Sequence, residues 1–584
     1  MNRAVPARLA ATWAAVRRRA GGSSAFDLLS RTFLDRFFDN EITGGSNDLK
    51  ASFFWLIAFL AAPGLFMPVL RWFDWEFYVL RYGPEALRVA TRGDKAFYLG
   101  FAMIASGALS VVVWNSLLLD RRDSLVLGPL PVRAATIVRA KLTALAVYIL
   151  IVAVAMHLLA SVMFGASLAT HNTTSMALAG IIAHLVASAG GSAFVFLAIA
   201  AMQGVLFAAL GARWFRVVSA PIQVAIVTTL LLGLVFLPAL DLSVVDTLAG
   251  TGRRVHPWIL VTPPLWFLGL YEAVLGTDDP VLLRLASLAV GSLIAATIVT
   301  VVTYPLAYRR LGSTVVELRE PGARAGLVGL MARVLTTVAS LRPATRASVQ
   351  FLIASAARVG QHRFVLAAAL GIAIALAIPT LFGMFPTLAT PPAYPPRNLL
   401  ALPLHTMVVL LVGLRMVAAL PADLNAGWML SCIDAPPRAL RAGVWRVMFL
   451  VGVLPVVLLA MPVYWIIWGA SVALPHTVVC LAVGAALTEG LLWGFDGMPC
   501  ARPWRPERAN LRTWWPAYLA GFFLVTAALP AVESICFEER TGFTALAALI
   551  GGLALTLRVA HRRRRIMPED ALDEPAPVQV LNLD

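Results

Sequence analysis

Lysine is almost missing from this chain of 584 residues: only Lys50, Lys95 and Lys141 occur, so arginine carries the basic side of the charge balance. Charge of either sign is scarce, at 13% of residues, and acids are scarcer than bases, which leaves a formal net charge of +16. The four cysteines, Cys432, Cys480, Cys500 and Cys536, are scattered without metal-ligand spacing, which excludes a disulfide framework and a thiolate metal site. No G-x-x-x-x-G-K-[ST] run is present, so the chain has no phosphate-cradling loop for ATP. HExxH and GxSxG are missing as well, which removes the usual signatures of zinc proteases and serine hydrolases and leaves no catalytic residue to name.

What is abundant is apolar sequence. Hydrophobic residues make up 60% of the chain and the mean hydropathy is +0.81, far beyond an ordinary soluble domain. A span of about 20 apolar residues crosses roughly 30 Å of hydrocarbon. On that ruler the sequence predicts an all-α polytopic membrane protein with spans over 51–70, 98–119, 142–169, 176–210, 218–237, 286–308, 364–385, 400–420, 447–470, 475–495, 515–532 and 541–560. The arginines lie mainly in short loops beside these spans, where they set orientation and meet lipid head groups, so no nucleic-acid partner is expected. Five regions follow: 1–50, a cytoplasmic arm and interfacial helix; 51–308, a first six-helix half; 309–363, a cytoplasmic bridge; 364–560, a second six-helix half; and 561–584, a cytoplasmic tail. The even number of spans per half points both halves the same way and puts both termini in the cytoplasm. The loop after the first span, with five basic residues including Arg71, Arg92 and Lys95, argues against that orientation.

The polar interval 120–141, DRRDSLVLGPLPVRAATIVRAK, interrupts two apolar runs and must lie on a membrane surface. Pro129 and Pro131 break it, after which apolar residues recur at helical spacing into the next span. A related interval, with Asp423, Pro436, Pro437, Arg438 and Arg441, follows the second span of the other half. The fourth spans also correspond, AAMQGVLFAAL placing Gln203 where AALTEGLLWGF places Glu489. Two registers in the same order predict an internal duplication of two parallel six-helix repeats.

These features, with the interfacial N-terminal helix and the segment TPPLWFLGLYEAVLG at 262–276, resemble the type-2 ABC exporter permeases, here with two halves fused. The resemblance covers nearly the whole chain. It implies a multi-pass protein of the bacterial inner membrane that moves an amphipathic or hydrophobic substrate. ATP and magnesium would sit on separate ABC ATPase subunits, two copies, with membrane lipid as the other partner. It implies further that the interval after the second span docks on the ATPase, which falls here on Asp120, Arg121, Arg122, Asp123, Pro131, Arg133 and Lys141, and in the second half on Asp423, Pro436, Pro437, Arg438 and Arg441.

Other readings stay open. DRRD also suits a major-facilitator secondary transporter, although Ser116 and Asp123 stand where that family has glycines. A membrane-embedded enzyme would have to use His157, His184, His405 or Glu489. Gln203 and Glu489 are candidates for a transport pathway, with Glu489 alternatively a carboxylate snorkelling toward Arg502. Pro263, Pro264, Trp266 and Tyr271 mark either an external gate or an interfacial re-entrant helix. No metal site is expected.

Overall fold

The structure is a computed structural model that describes residues 24–38, 48–83, 91–117, 127, 130, 132–169, 174–248, 257–314, 342–389, 392–420, 436–493, 495, 520–539 and 542–563. Among them every regular element is helical, and twelve helices are long and apolar enough to cross a membrane. Each of the twelve expected spans has its counterpart. The chain divides into two compact units, 1–320 and 321–584.

In unit 1, helix α1 (Ser24–Phe38) precedes α2 (Asp48–Tyr82) and α3 (Arg92–Val112), followed by α4 (Ala134–Ala169) and α5 (Thr174–Leu248). Then come α6 (Pro263–Val274) and α7 (Pro280–Thr314). Helix α2 runs past the expected end of the first span at residue 70, because RWFDWEFYVLRY continues the helix instead of opening into a loop. Helix α5 contains two spans, Ala177–Gly211 and Val217–Pro238, and the break between them falls on Gly211 at φ 72°. A residue with a Cβ is strained in that left-handed region, so glycine is what the turn requires.

Unit 2 contains α8 (Pro343–Arg358), α9 (Gly360–Ala389), α10 (Arg397–Ala419) and α11 (Pro437–Val447). They are followed by α12 (Leu454–Trp468), α13 (Ala470–Leu491), α14 (Leu529–Glu539) and α15 (Phe543–Arg563). Two π-helical stretches, Met448–Val453 and Leu524–Ala528, each end two residues before a proline, Pro455 and Pro530. Proline has no N–H for the α ladder, and the widened turn accommodates that loss. Helix α8 falls inside the expected bridge yet packs into unit 2, so the second half begins with a helix of its own before its first span. Proline opens α6, α8 and α11 at the first turn, where a missing N–H costs nothing.

Candidate functional site

Both units carry a pair of short-to-long helices at one end of their spans. In unit 1, α1 lies on the start of α4. Phe33 and Phe37 are buried there, and the Lys141 ammonium sits 4.9 Å and 4.8 Å from their ring centroids. Phe37 also stacks on Tyr148 at 4.9 Å. Lys141 is 1% exposed, which corrects the expectation that it faces a docking partner: it points inward and pins α1 to α4. Arg133 is exposed at the head of α4, as is Arg139. Asp120, Arg121, Arg122, Asp123 and Pro131 lie outside the described residues.

In unit 2 the same relation joins α8 to α11. The Ser348 hydroxyl donates to the Leu440 carbonyl at 3.0 Å, and a Cβ at Gly443 would meet Ser348 Oγ at 2.6 Å, so the helices touch backbone to side chain. Arg438 is exposed and donates to the Arg562 carbonyl at 3.2 Å. Arg441 is not a surface charge. Its Nη2 lies 2.9 Å from Glu489 Oε2, with side chains 11% and 4% exposed, so two residues expected in different roles form one ion pair. That pair also settles where Glu489 goes: it bonds within the unit. Arg502 lies outside the described residues, as does Asp423, while Pro436 is the N-cap of α11 and Pro437 its first residue. Gln203 of unit 1, which the sequence aligns with Glu489, is buried and donates to the Trp114 carbonyl at 3.3 Å.

A second set of polar groups lies deep in each unit. Lys95 on α3 donates to Glu272 on α6 at 2.9 Å, both nearly inaccessible, and Arg92 stands 3.9 Å from the same carboxylate. Lys95 also lies 4.5 Å from the Tyr271 ring. The adjacent residue, Asp94, accepts from Arg71 Nε at 2.9 Å and Trp75 Nε1 at 2.7 Å. The basic residues that opposed the expected orientation are therefore partly consumed in buried pairs. Tyr271 is fully buried by these contacts, and Trp266 donates to the Leu260 carbonyl at 2.8 Å, so α6, begun by Pro263 and Pro264, is fastened to α3 and α5.

Further into unit 1, Tyr98 Oη meets His157 Nδ1 at 3.2 Å, His157 Nε2 meets Ser192 Oγ at 2.6 Å, and Ser106 donates to Ser192 at 2.8 Å. His184 stacks on Phe164 at 4.3 Å. In unit 2, His476 Nδ1 lies 2.8 Å from Glu533 Oε1 and its Nε2 lies 3.6 Å from Cys480 Sγ. His405 bonds the Ala401 carbonyl of its own helix. None of these histidines joins a group of three ligating side chains among the described residues.

Glu272, His476 and Glu533 were not singled out from sequence, and Lys95 was read only as a base in the loop after the first span. Ionisable groups inside apolar windows are costly and therefore informative, but of the four only His476 falls within an expected span. Their pairing was not legible, since Lys95 and Glu272 are 177 residues apart. No protein-family model, curated protein or solved structure matches this chain.

Proposed function

We propose that the chain is the transmembrane permease subunit of an ATP-driven type-2 ABC exporter. One observation carries this reading. In each unit, the helix before the first span lies on the helix that leads into the third span, which makes a stiff surface element continuous with a membrane helix. Such an element suits transmission of force from a docked protein. The chain has no phosphate loop, so the energy comes from separate ATPase subunits, one for each unit. Arg133, Arg139 and Arg438 remain as exposed docking charges, together with Asp120, Arg121, Arg122, Asp123, Pro131 and Asp423 by resemblance. An open groove of about 500 Å³ in unit 1, lined by Phe194, Met202, Trp266 and Val299 and polar only at Ser292, supports a hydrophobic or amphipathic substrate. The protein belongs in this reading to the bacterial inner membrane, with both termini and the 309–363 bridge in the cytoplasm.

The test is purification from native membranes in mild detergent. The complex should hydrolyse ATP with magnesium, and the chain stripped of its partner should not. A cysteine at Ser340 should resist membrane-impermeant reagents applied to intact cells. One observation favours a second reading. The buried Lys95–Glu272 and His476–Glu533 pairs are the kind of intramembrane ionisable groups found along ion pathways. Transport driven by a proton or sodium gradient without ATP would establish that secondary-transporter reading and remove the first.

A further inference from the structure

The C-terminal end of α13 gathers side chains from three other helices of unit 2. Arg441 of α11 and Arg558 of α15 approach the two oxygens of Glu489 at 2.9 Å and 3.8 Å. Arg415 of α10 donates from Nε to the Leu491 carbonyl at 2.8 Å, one of the last carbonyls of α13 and without an intrahelical donor. Arg558 also lies 5.6 Å from the Trp445 ring, which stacks at 5.0 Å on Phe449. Three guanidinium groups thus converge where the helix dipole favours cations, and among the described residues Glu489 is the carboxylate that faces two of them.

The placement of Glu489 matters more than its charge. Arg441 is the fifth residue of α11, whose far end continues through the π-helical stretch into α12. Movement of the α8–α11 pair can reach α12 along the chain itself. Along the chain α13 follows α12 through Gly469, but its C-terminal end, where Glu489 lies, is reached from α11 directly only across space, and among the described residues the Arg441–Glu489 pair is the one charged link from α11 to α13. The pair is nearly inaccessible, so solvent screens it little, and an ion pair closed at 2.9 Å is directional in a way that apolar contact is not.

We infer that Arg441 and Glu489 are positioning residues that carry motion of the α8–α11 surface pair into α13, an inference that rests on the exporter reading. Glu489 is thus neither a pathway group nor a snorkelling carboxylate, and Arg441 does not touch the partner. Among the described residues of unit 1, Gln203 makes no such pair and bonds the Trp114 backbone carbonyl.

The experiment uses the full complex in nanodiscs, with ATP and vanadate as probes and no need for the transported substrate. Genetically encoded spin labels at Ala442 on α11 and Val478 on α13 are each measured by pulsed electron paramagnetic resonance against a label at Leu370 on α9. In the parent, ATP–vanadate should shift both distances. In E489Q, the α11 distance should still shift while the α13 distance stays at its nucleotide-free value. A variant with R441C and E489C, in a chain whose four native cysteines are serine, should behave like E489Q when reduced. Joined by a short bis-methanethiosulfonate linker, it should regain the α13 shift. A role confined to folding would diminish both shifts together and would not be reversed by a thiol linker. An unaltered α13 shift in E489Q, or no recovery on linking, overturns the inference. No shift at α11 in the parent would instead remove the exporter reading, and the inference with it.

Discussion

Each unit buries one glutamate on the helical stretch before its final span, and each pairs it with a different base. Glu272 of unit 1 faces an ammonium and a guanidinium, Lys95 and Arg92; Glu533 of unit 2 faces the imidazole of His476. The surface ends differ in the opposite sense. Unit 1 holds its helix pair by an ammonium between two phenylalanine rings, whereas unit 2 uses close approach at Gly443 and ties the pair to α13 by an ion pair. Pairs of a carboxylate with lysine or arginine thus lie at the deep end of unit 1 and at the surface end of unit 2. Such pairs are costly to break once buried, so the two units should differ in which end resists disruption.

The sharpest way to break this contrast is to remove the acids. Glu272→Gln removes the counter-charge that Glu272 gives a buried ammonium, a loss of about 3–5 kcal/mol. Glu533→Gln still offers the imidazole of His476 an acceptor, and the cost should fall to about 1 kcal/mol. Equilibrium unfolding in mixed micelles measures both, and equal losses would erase the distinction between the two pairs.

At the surface end, Gly443→Leu drives a side chain into Ser348 and the Thr345 carbonyl and should cost about 1–3 kcal/mol. The loss should appear as faster proteolysis of α8, while α1 keeps its protection. Lys141→Met is the mirror change. It retains the apolar stem and loses the cation between Phe33 and Phe37, for a cost of about 2 kcal/mol, and now α1 should become the protease-sensitive helix. Loss of α8 protection in that variant would show that the two helix pairs are not independent.

The smallest effect concerns association. On the exporter reading, Arg133→Glu with Arg139→Glu should weaken capture of the proposed ATPase by about 1 kcal/mol, roughly fivefold, and Arg438→Glu alone by less, since exposed charges act in high dielectric. Quantitative pull-down at two salt concentrations reads this out. An unchanged yield in the first variant would take docking away from the head of α4.

Much of the fold was legible because bilayer thickness sets a length that apolar runs must meet. The Gly211 turn and the 176–210 and 218–237 spans fall within a residue or two of expectation for that reason. Misreadings occurred where another force acts. Residues 71–82 look like an aromatic loop, but Trp75 and Arg71 bond Asp94 and extend the helix. Helix α8 hides in an arginine-rich bridge, although Ser348, Val349, Leu352 and Ser355 mark a buried stripe at helical spacing. In the candidate site, the surface segment beginning at Arg133 was readable, and the inward turn of Lys141 was not, because a helical wheel places a charge on an arc without saying whether aromatic rings wait there.

The burial of Lys95 and Lys141 has a practical side. They are two of only three lysines, so amine-directed reagents find almost nothing on this chain to modify. Succinimide crosslinkers, lysine-based surface immobilisation and reductive methylation would find neither of these two amines exposed. Mapping the assembly calls for carboxylate-, arginine- or cysteine-directed chemistry instead.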